Sequence, residues 1–335
     1  MSSVVQAWAD GWRRTWRAPW VVTGLWLMTF LLALPLAMTL RGMLTDHLGA
    51  SLAAETAAAN VNFDWWNEFL AQAAGIGQTF VPAILGFAAV IKNISSVADA
   101  DSLPTVIASV ITAHLVVSMF LLGGVLDRLA RDRPTGAHGF FAACGVFFFR
   151  FLRLGALAGA IYWLLFVRLH PLLFDRLFIA LTRDVSIERT AFAYRVALYL
   201  LFGGLVLAVN LVFDYAKIRM VVEDRRSAIG ALNAALRFIA RHPGAALGLY
   251  VTNSVGFALV LALYAVVAPG AAGGWYAVIG LLIGQLYLVS RVLVRVSFAA
   301  SQISLFQSRL AHAGYTARYT PVWPESAAAE AIRPE

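Results

Sequence analysis

The chain is poor in charge, nearly free of cysteine, and has no carboxylate near the centre of any of its long apolar runs. Charged residues make up 13% of its 335 positions, about half of what a water-facing surface of this size carries. That shortage excludes an ordinary soluble fold. The single cysteine, Cys144, excludes an intrachain disulfide framework and any cysteine-rich metal site. It sits among Phe140, Phe141 and Phe147–Phe149, where a thiol is expected to act as a small buried hydrophobe. There is no G-x-S-x-G elbow, no H-E-x-x-H helix and no phosphate-binding glycine loop. No catalytic, cofactor or metal site is therefore expected. A proton-coupled carrier would also need a buried carboxylate that the spans do not supply.

What is abundant is apolar sequence. Hydrophobic residues reach 61% and mean hydropathy is +0.76, gathered in runs of about 20, the length at which a helix crosses the hydrocarbon layer. Spans are expected at 20–40, 104–126, 154–169, 191–213, 244–268 and 274–297. Each is bounded by charge or turn residues such as Arg41, Pro104, Asp127, Arg153, Arg189, Asp214 and Pro243. The fold class is an all-α polytopic transmembrane bundle of about six spans. The first run follows Arg13, Arg14 and Arg17, and Ala33–Ala37 resembles a cleavage region. At 21 residues the run exceeds a signal core, so an uncleaved first span is expected.

The net charge of +8 has its cause in topology. With the N-terminus inside, segments 1–19, 127–153, 214–243 and the chain after Leu288 hold 3, 5, 6 and 5 of the basic residues, which is 19 of 26. By the positive-inside rule this predicts both termini in the cytoplasm. It also points to anionic membrane lipids as partners, with no nucleic acid.

Residues 42–103 form a long outer loop in which the apolar stretch 80–91 is too short to span. A helix lying on the membrane or re-entering it is expected there, with Trp65 and Trp66 at headgroup level. A second outer loop, about 170–190, carries an apolar stretch expected against the bilayer. One transmembrane domain is expected over 1–300, followed by a cytoplasmic tail over 301–335 with a disordered end.

The two basic loops read as copies of one unit. Asp127–Arg131 matches Asp214–Lys217, Gly139–Ala143 matches Gly230–Ala234, and Arg153–Gly159 matches Arg241–Gly248. Same-orientation copies would make a parallel internal repeat. The stretch 224–241 predicts an interfacial helix, with Ile229, Leu232, Leu236 and Ile239 at helical spacing and Asn233, Arg237 and Arg241 as a polar ridge. Arg226, Arg237, Arg241 and Lys217 are the candidate lipid headgroup contacts, although plain packing on the bundle's inner face is the commoner explanation of such a helix. Asp127 with Arg131 and Asp214 with Lys217 could also bind a headgroup, while their spacing suits plain helix-surface ion pairs.

Within the spans, Gly155/Gly159, Gly244/Gly248 and Gly280/Gly284 are small-residue pairs suited to close helix packing. His114, Asn253 and Gln285 are the polar residues that could mark an intramembrane path, with Ser254, Asn210 and Asp214 as further polar positions. Interhelical hydrogen bonding explains each of them as well.

The run Asp214-Tyr-Ala-Lys-Ile-Arg through Arg241-His-Pro-Gly244 resembles the cytoplasmic connection of six-helix bacterial membrane proteins. These are similar to the membrane domain preceding some glycerophosphodiester phosphodiesterases. The resemblance spans about residues 104–300, rests on a basic helix followed by a span, and lacks the phosphodiesterase domain. It implies membrane location and helix count, with no active site to carry over. The expectation is a non-enzymatic bacterial inner-membrane protein, a scaffold or accessory in envelope or lipid-associated transport, alone, as a homo-oligomer or with a membrane partner. The alternatives are a small-solute transporter or channel with a path near His114, Asn253 and Gln285, and a membrane-embedded lipid-modifying enzyme.

Overall fold

A computed structural model describes residues 2–49, 51–59, 62–81, 86–270 and 275–311. Its helices are α1 (Ser2–Trp16), α2 (Pro19–Leu48), α3 (Ala53–Ala59), α4 (Phe63–Gln72), α5 (Gly86–Ala98), α6 (Thr105–Arg131), α7 (Ala137–Trp163), α8 (Phe178–Thr182), α9 (Glu188–Val222), α10 (Ala228–Arg241), α11 (Pro243–Val267) and α12 (Trp275–Ala311). No strand occurs among the described residues. Six continuous helical stretches are long and apolar enough to cross a membrane: 19–48, 105–131, 137–182, 188–222, 243–267 and 275–310. Each overlaps one expected span, and the molecule is a multi-pass membrane protein. Only 6–22% of the residues in their most apolar windows are buried within the protein. Side chains such as Leu31, Leu200, Leu259 and Leu282 point outward, as they must where the surrounding solvent is hydrocarbon.

The buried core lies towards one end of the bundle. There α1, the start of α2, the end of α6, the start of α7, the end of α9, α10, the start of α11 and the end of α12 share one cluster. Leu129, Tyr215, Ala231, Leu249, Ile303 and Phe306 are fully enclosed in it. Residues 301–311, expected as the start of a tail, instead prolong α12 by three turns, and residues 312–335 lie outside the described residues. Ser301, Gln302, Ile303, Leu305 and Phe306 are all buried. The reason is α1. It is amphipathic, and it docks along the end of α12, so that residues too polar to continue a span gain a protein partner.

That docking is polar as well as apolar. Arg14 donates to Leu129 O (3.0 Å) and to Gln307 Oε1 (2.9 Å), and Gln307 donates to Ala130 O (2.9 Å). Arg14 also pairs with Asp10 at 2.8 Å. Burial works against the Asp10 carboxylate, but hydrogen bonds from Ser304 and Arg13 and the charge of Arg14 outweigh it and hold the carboxyl below its ordinary 3.8. A depressed carboxyl stabilises the fold in full above its unfolded value and loses that contribution as pH falls through the lower folded value. Acidification below pH 3.8 should therefore loosen α1 before the bundle opens. Hydrogen exchange over residues 2–16 would show this, and the acid-sensitive component should vanish in Asp10→Asn.

Two regions differ in detail from expectation. The helix expected at 80–91 falls partly on residues 82–85, outside the described set; from Gly86 the chain is helical to Ala98, with no residue buried. The apolar stretch after His170 is a helical continuation of α7 through two wide π-type turns, Leu164–Leu169 and Leu172–Leu177, on either side of Pro171. Proline has no N–H to offer the preceding turn, and a widened ladder is one way to satisfy the backbone around it. Leu165, Leu173, Leu198 and Phe202 form a second small core between these turns and α9. His170 bonds to Ala98 O at 2.8 Å and ties the end of α5 to this core. Trp65 and Trp66 are hydrogen-bonded within the protein, to His47 Nδ1 (3.0 Å) and Phe80 O (2.8 Å).

Candidate functional site: a charged cavity inside the bundle

Between α2, α6, α7, α9, α11 and α12 the bundle forms a half-open cavity of about 700 Å³. Its wall mixes apolar and polar residues. The apolar lining includes Leu115, Met119 and Leu122 from α6, Phe151 and Leu154 from α7, and Phe257 from α11. Along α12 the lining residues Leu288, Arg291, Val292, Arg295, Ala299 and Gln302 recur every three or four positions, so one helical face turns inward. Arg291 and Arg295 are exposed, Gln302 is buried, and the Nε2 of Gln302 has no partner among the described residues.

From α9 come Asn210, Asp214 and Lys217. Lys217 pairs with Asp214 at 2.7 Å, both side chains about one-third exposed. Tyr162 of α7 donates to Asn210 Oδ1 at 2.7 Å, and Tyr250 of α11 lines the same wall. Among the lining residues Asp214 is the one carboxylate, against the three cations Lys217, Arg291 and Arg295. Neither arginine forms an ion pair among the described residues; Arg291 lies over the Tyr287 ring at 5.6 Å.

Of the residues singled out in the sequence, His114 lines this cavity, within electrostatic reach of Arg295. Asn253 and Gln285 do not line it. Asn253 is buried and donates to Ser301 Oγ at 2.9 Å, while Gln285 accepts from Trp26 Nε1 at 2.9 Å. Both are interhelical hydrogen bonds, and the three-residue path is not assembled. Ser254, the neighbour of Asn253, faces the cavity instead.

Lys217 points into the cavity, paired with Asp214, where a surface headgroup contact was expected. Arg226, Arg237 and Arg241 are exposed at the end of the bundle, free to meet lipid phosphate. Helix α10 itself is held by Ala228, Ala231, Ala234, Ala235 and Phe238 rather than by Ile229 and Leu236, which stay exposed. The alanines let α10 approach α9 closely, and Arg219 caps the contact by donating to Ala234 O. Asp127 is bound by Arg131 at 2.9 Å and does not line the cavity.

The sequence reading missed Arg291, Arg295, Gln302, Tyr162 and Tyr250. A signal existed in α12: Arg291, Arg295 and Gln302 share one helical face of an otherwise apolar run. They pass for the polar end of a span because charge at a helix end is ordinary. No group of three or more histidine, cysteine or carboxylate residues capable of holding a metal occurs among the described residues.

A six-helix membrane bundle around a chamber of mixed charged and apolar lining is the class of protein these features define. No known protein family, no curated protein and no solved structure matches this chain.

Proposed function

We propose that this is a non-enzymatic inner-membrane protein of bacterial type, with both termini cytoplasmic, that holds an amphiphile in its intrabundle cavity. In this reading it serves as a carrier or accessory in lipid-associated transport. The observation that carries the reading is the mixed wall, which puts the cations Lys217, Arg291 and Arg295 in one chamber with leucine, methionine and phenylalanine of α6 and α7. A water-filled solute path has no need of so much apolar lining, whereas a lipid has a polar head and apolar chains that match it. The small-solute path through His114, Asn253 and Gln285 has less support, since only His114 lines the chamber. A lipid-modifying enzyme would need convergent acid–base groups, and Asp214 is the sole carboxylate on the wall.

The test is to fill the chamber from its apolar lining. Met119→Trp and Leu122→Trp together should lower the amount of lipid retained by the purified protein in native mass spectrometry, with the helical content unchanged. Equal retention in the filled variant would remove the cavity as the lipid site.

A further inference from the structure

Arginine inside a membrane span is costly and uncommon, and where it occurs it faces a partner or a cavity. Counted from Trp275, Arg291 lies about 24 Å and Arg295 about 30 Å along α12, towards the inner boundary of a hydrocarbon layer about 30 Å thick. The two arginines, one turn apart, turn into the chamber with no carboxylate of their own among the described residues. Two turns beyond Arg295, the buried Gln302 (2% exposed) carries an Nε2 without an acceptor. Lys217, across the chamber on α9, already has Asp214 at 2.7 Å. The protein thus lines the chamber with two guanidinium groups to which it supplies no acceptor, and keeps on the same helical face a buried amide whose Nε2 is unpartnered.

We propose that Arg291, Arg295 and Gln302 form the seat for a phosphate group, and that this phosphate is the headgroup of the amphiphile read above. Resting on that reading, the inference adds the ligand's charge and the residues that select it. Phosphate fits this donor set because a guanidinium presents paired N–H groups to two of its oxygens. A tetrahedral anion leaves further oxygens for the Gln302 amide. The Asp214–Lys217 pair bounds the seat on the α9 side, where the carboxylate repels an anion and confines it to α12. A zwitterionic head such as phosphocholine brings a cation into a chamber that already holds three, so heads of net negative charge are favoured.

The test uses the full chain in nanodiscs, with dioleoyl phosphatidylglycerol, dioleoyl phosphatidylcholine and inorganic phosphate as separate probes. Wild type should retain the anionic lipid in preference to the zwitterionic one. Each of Arg291→Gln and Arg295→Gln should weaken retention of the anionic lipid about tenfold, the size of one charge-assisted contact, and should also weaken the lesser retention of phosphatidylcholine, which carries the same phosphate. Gln302→Leu should weaken anionic-lipid retention less. If the glutamine variants fail to fold, the Arg291→Lys/Arg295→Lys pair keeps the charge without the paired donors, and should retain anion binding with reduced preference.

Lipid retained equally by wild type and both glutamine variants overturns the phosphate seat and leaves the amphiphile reading standing. Inorganic phosphate that binds alone and displaces no lipid keeps the seat but separates it from the amphiphile, overturning their union. Retention of neither lipid nor phosphate overturns both.

Discussion

Phe306→Ala should be the most damaging single truncation in this protein, lowering stability by about 3–5 kcal/mol, the usual effect of emptying a fully enclosed aromatic site. The Phe306 ring is 0% exposed, packs edge-on against Phe238 at 5.1 Å, and has the Arg219 guanidinium 5.1 Å above it. Through these contacts it joins α9, α10 and α12. Removing the ring leaves a cavity there and takes from Arg219 the aromatic face on which it rests. The effect should appear in denaturant or thermal unfolding of the detergent-solubilised protein. Phe141→Ala, 53% exposed on α7, should change stability far less. If the two variants unfold alike, the core has been misplaced.

Gly11→Val should detach α1, with a loss of about 1–3 kcal/mol typical of overpacking. A Cβ at Gly11 would stand 2.6 Å from the backbone N of Ser301 and 2.7 Å from its Cα, atoms that cannot rotate away. The same substitution at Gly24, where a Cβ meets nothing within 4 Å, should be silent. Gly123 belongs with Gly11, since a Cβ there would lie 2.8 Å from Ala143 O across the α6–α7 contact. Hydrogen exchange should show residues 2–16 exposed in Gly11→Val and protected in Gly24→Val.

These glycines also mark where sequence reading fell short. The pairs Gly155/Gly159, Gly244/Gly248 and Gly280/Gly284 have the spacing of close-packed helices. Yet Cβ atoms at Gly159, Gly244 and Gly284 would meet open space, while the one at Gly155 would meet only the flexible end of Met119. The tightest backbone approaches are at Gly11 and Gly86 (2.6 Å) and at Gly123 (2.8 Å), none of which belongs to such a pair. A small-residue pair permits close packing and does not say which neighbour arrives. The two basic loops show the same limit. Gly155 sits within an unbroken α7, whereas Pro243 and the non-helical His242 (φ −132°) separate α10 from α11. The two loops thus differ in where the helix breaks.

The amino-acid sequence alone determined the number of long apolar helices and their approximate bounds. The thickness of the hydrocarbon layer demands about twenty apolar residues in a row, and that demand is written linearly along the chain. It also placed α10, although the face that the helix buries is the alanine face and not the one marked by Ile229 and Leu236. Only the tertiary structure decided which face of each span turns inward. Lipid and protein interior are equally apolar, so hydropathy cannot distinguish Leu122 on the chamber wall from Leu282 facing outward. Helix packing alone brought Arg291, Arg295 and Gln302 of α12 opposite Lys217 of α9, and left Asn253 and Gln285 bonded elsewhere. Burial of residues 301–306 was likewise settled by the docking of α1, a contact between chain segments almost 300 positions apart.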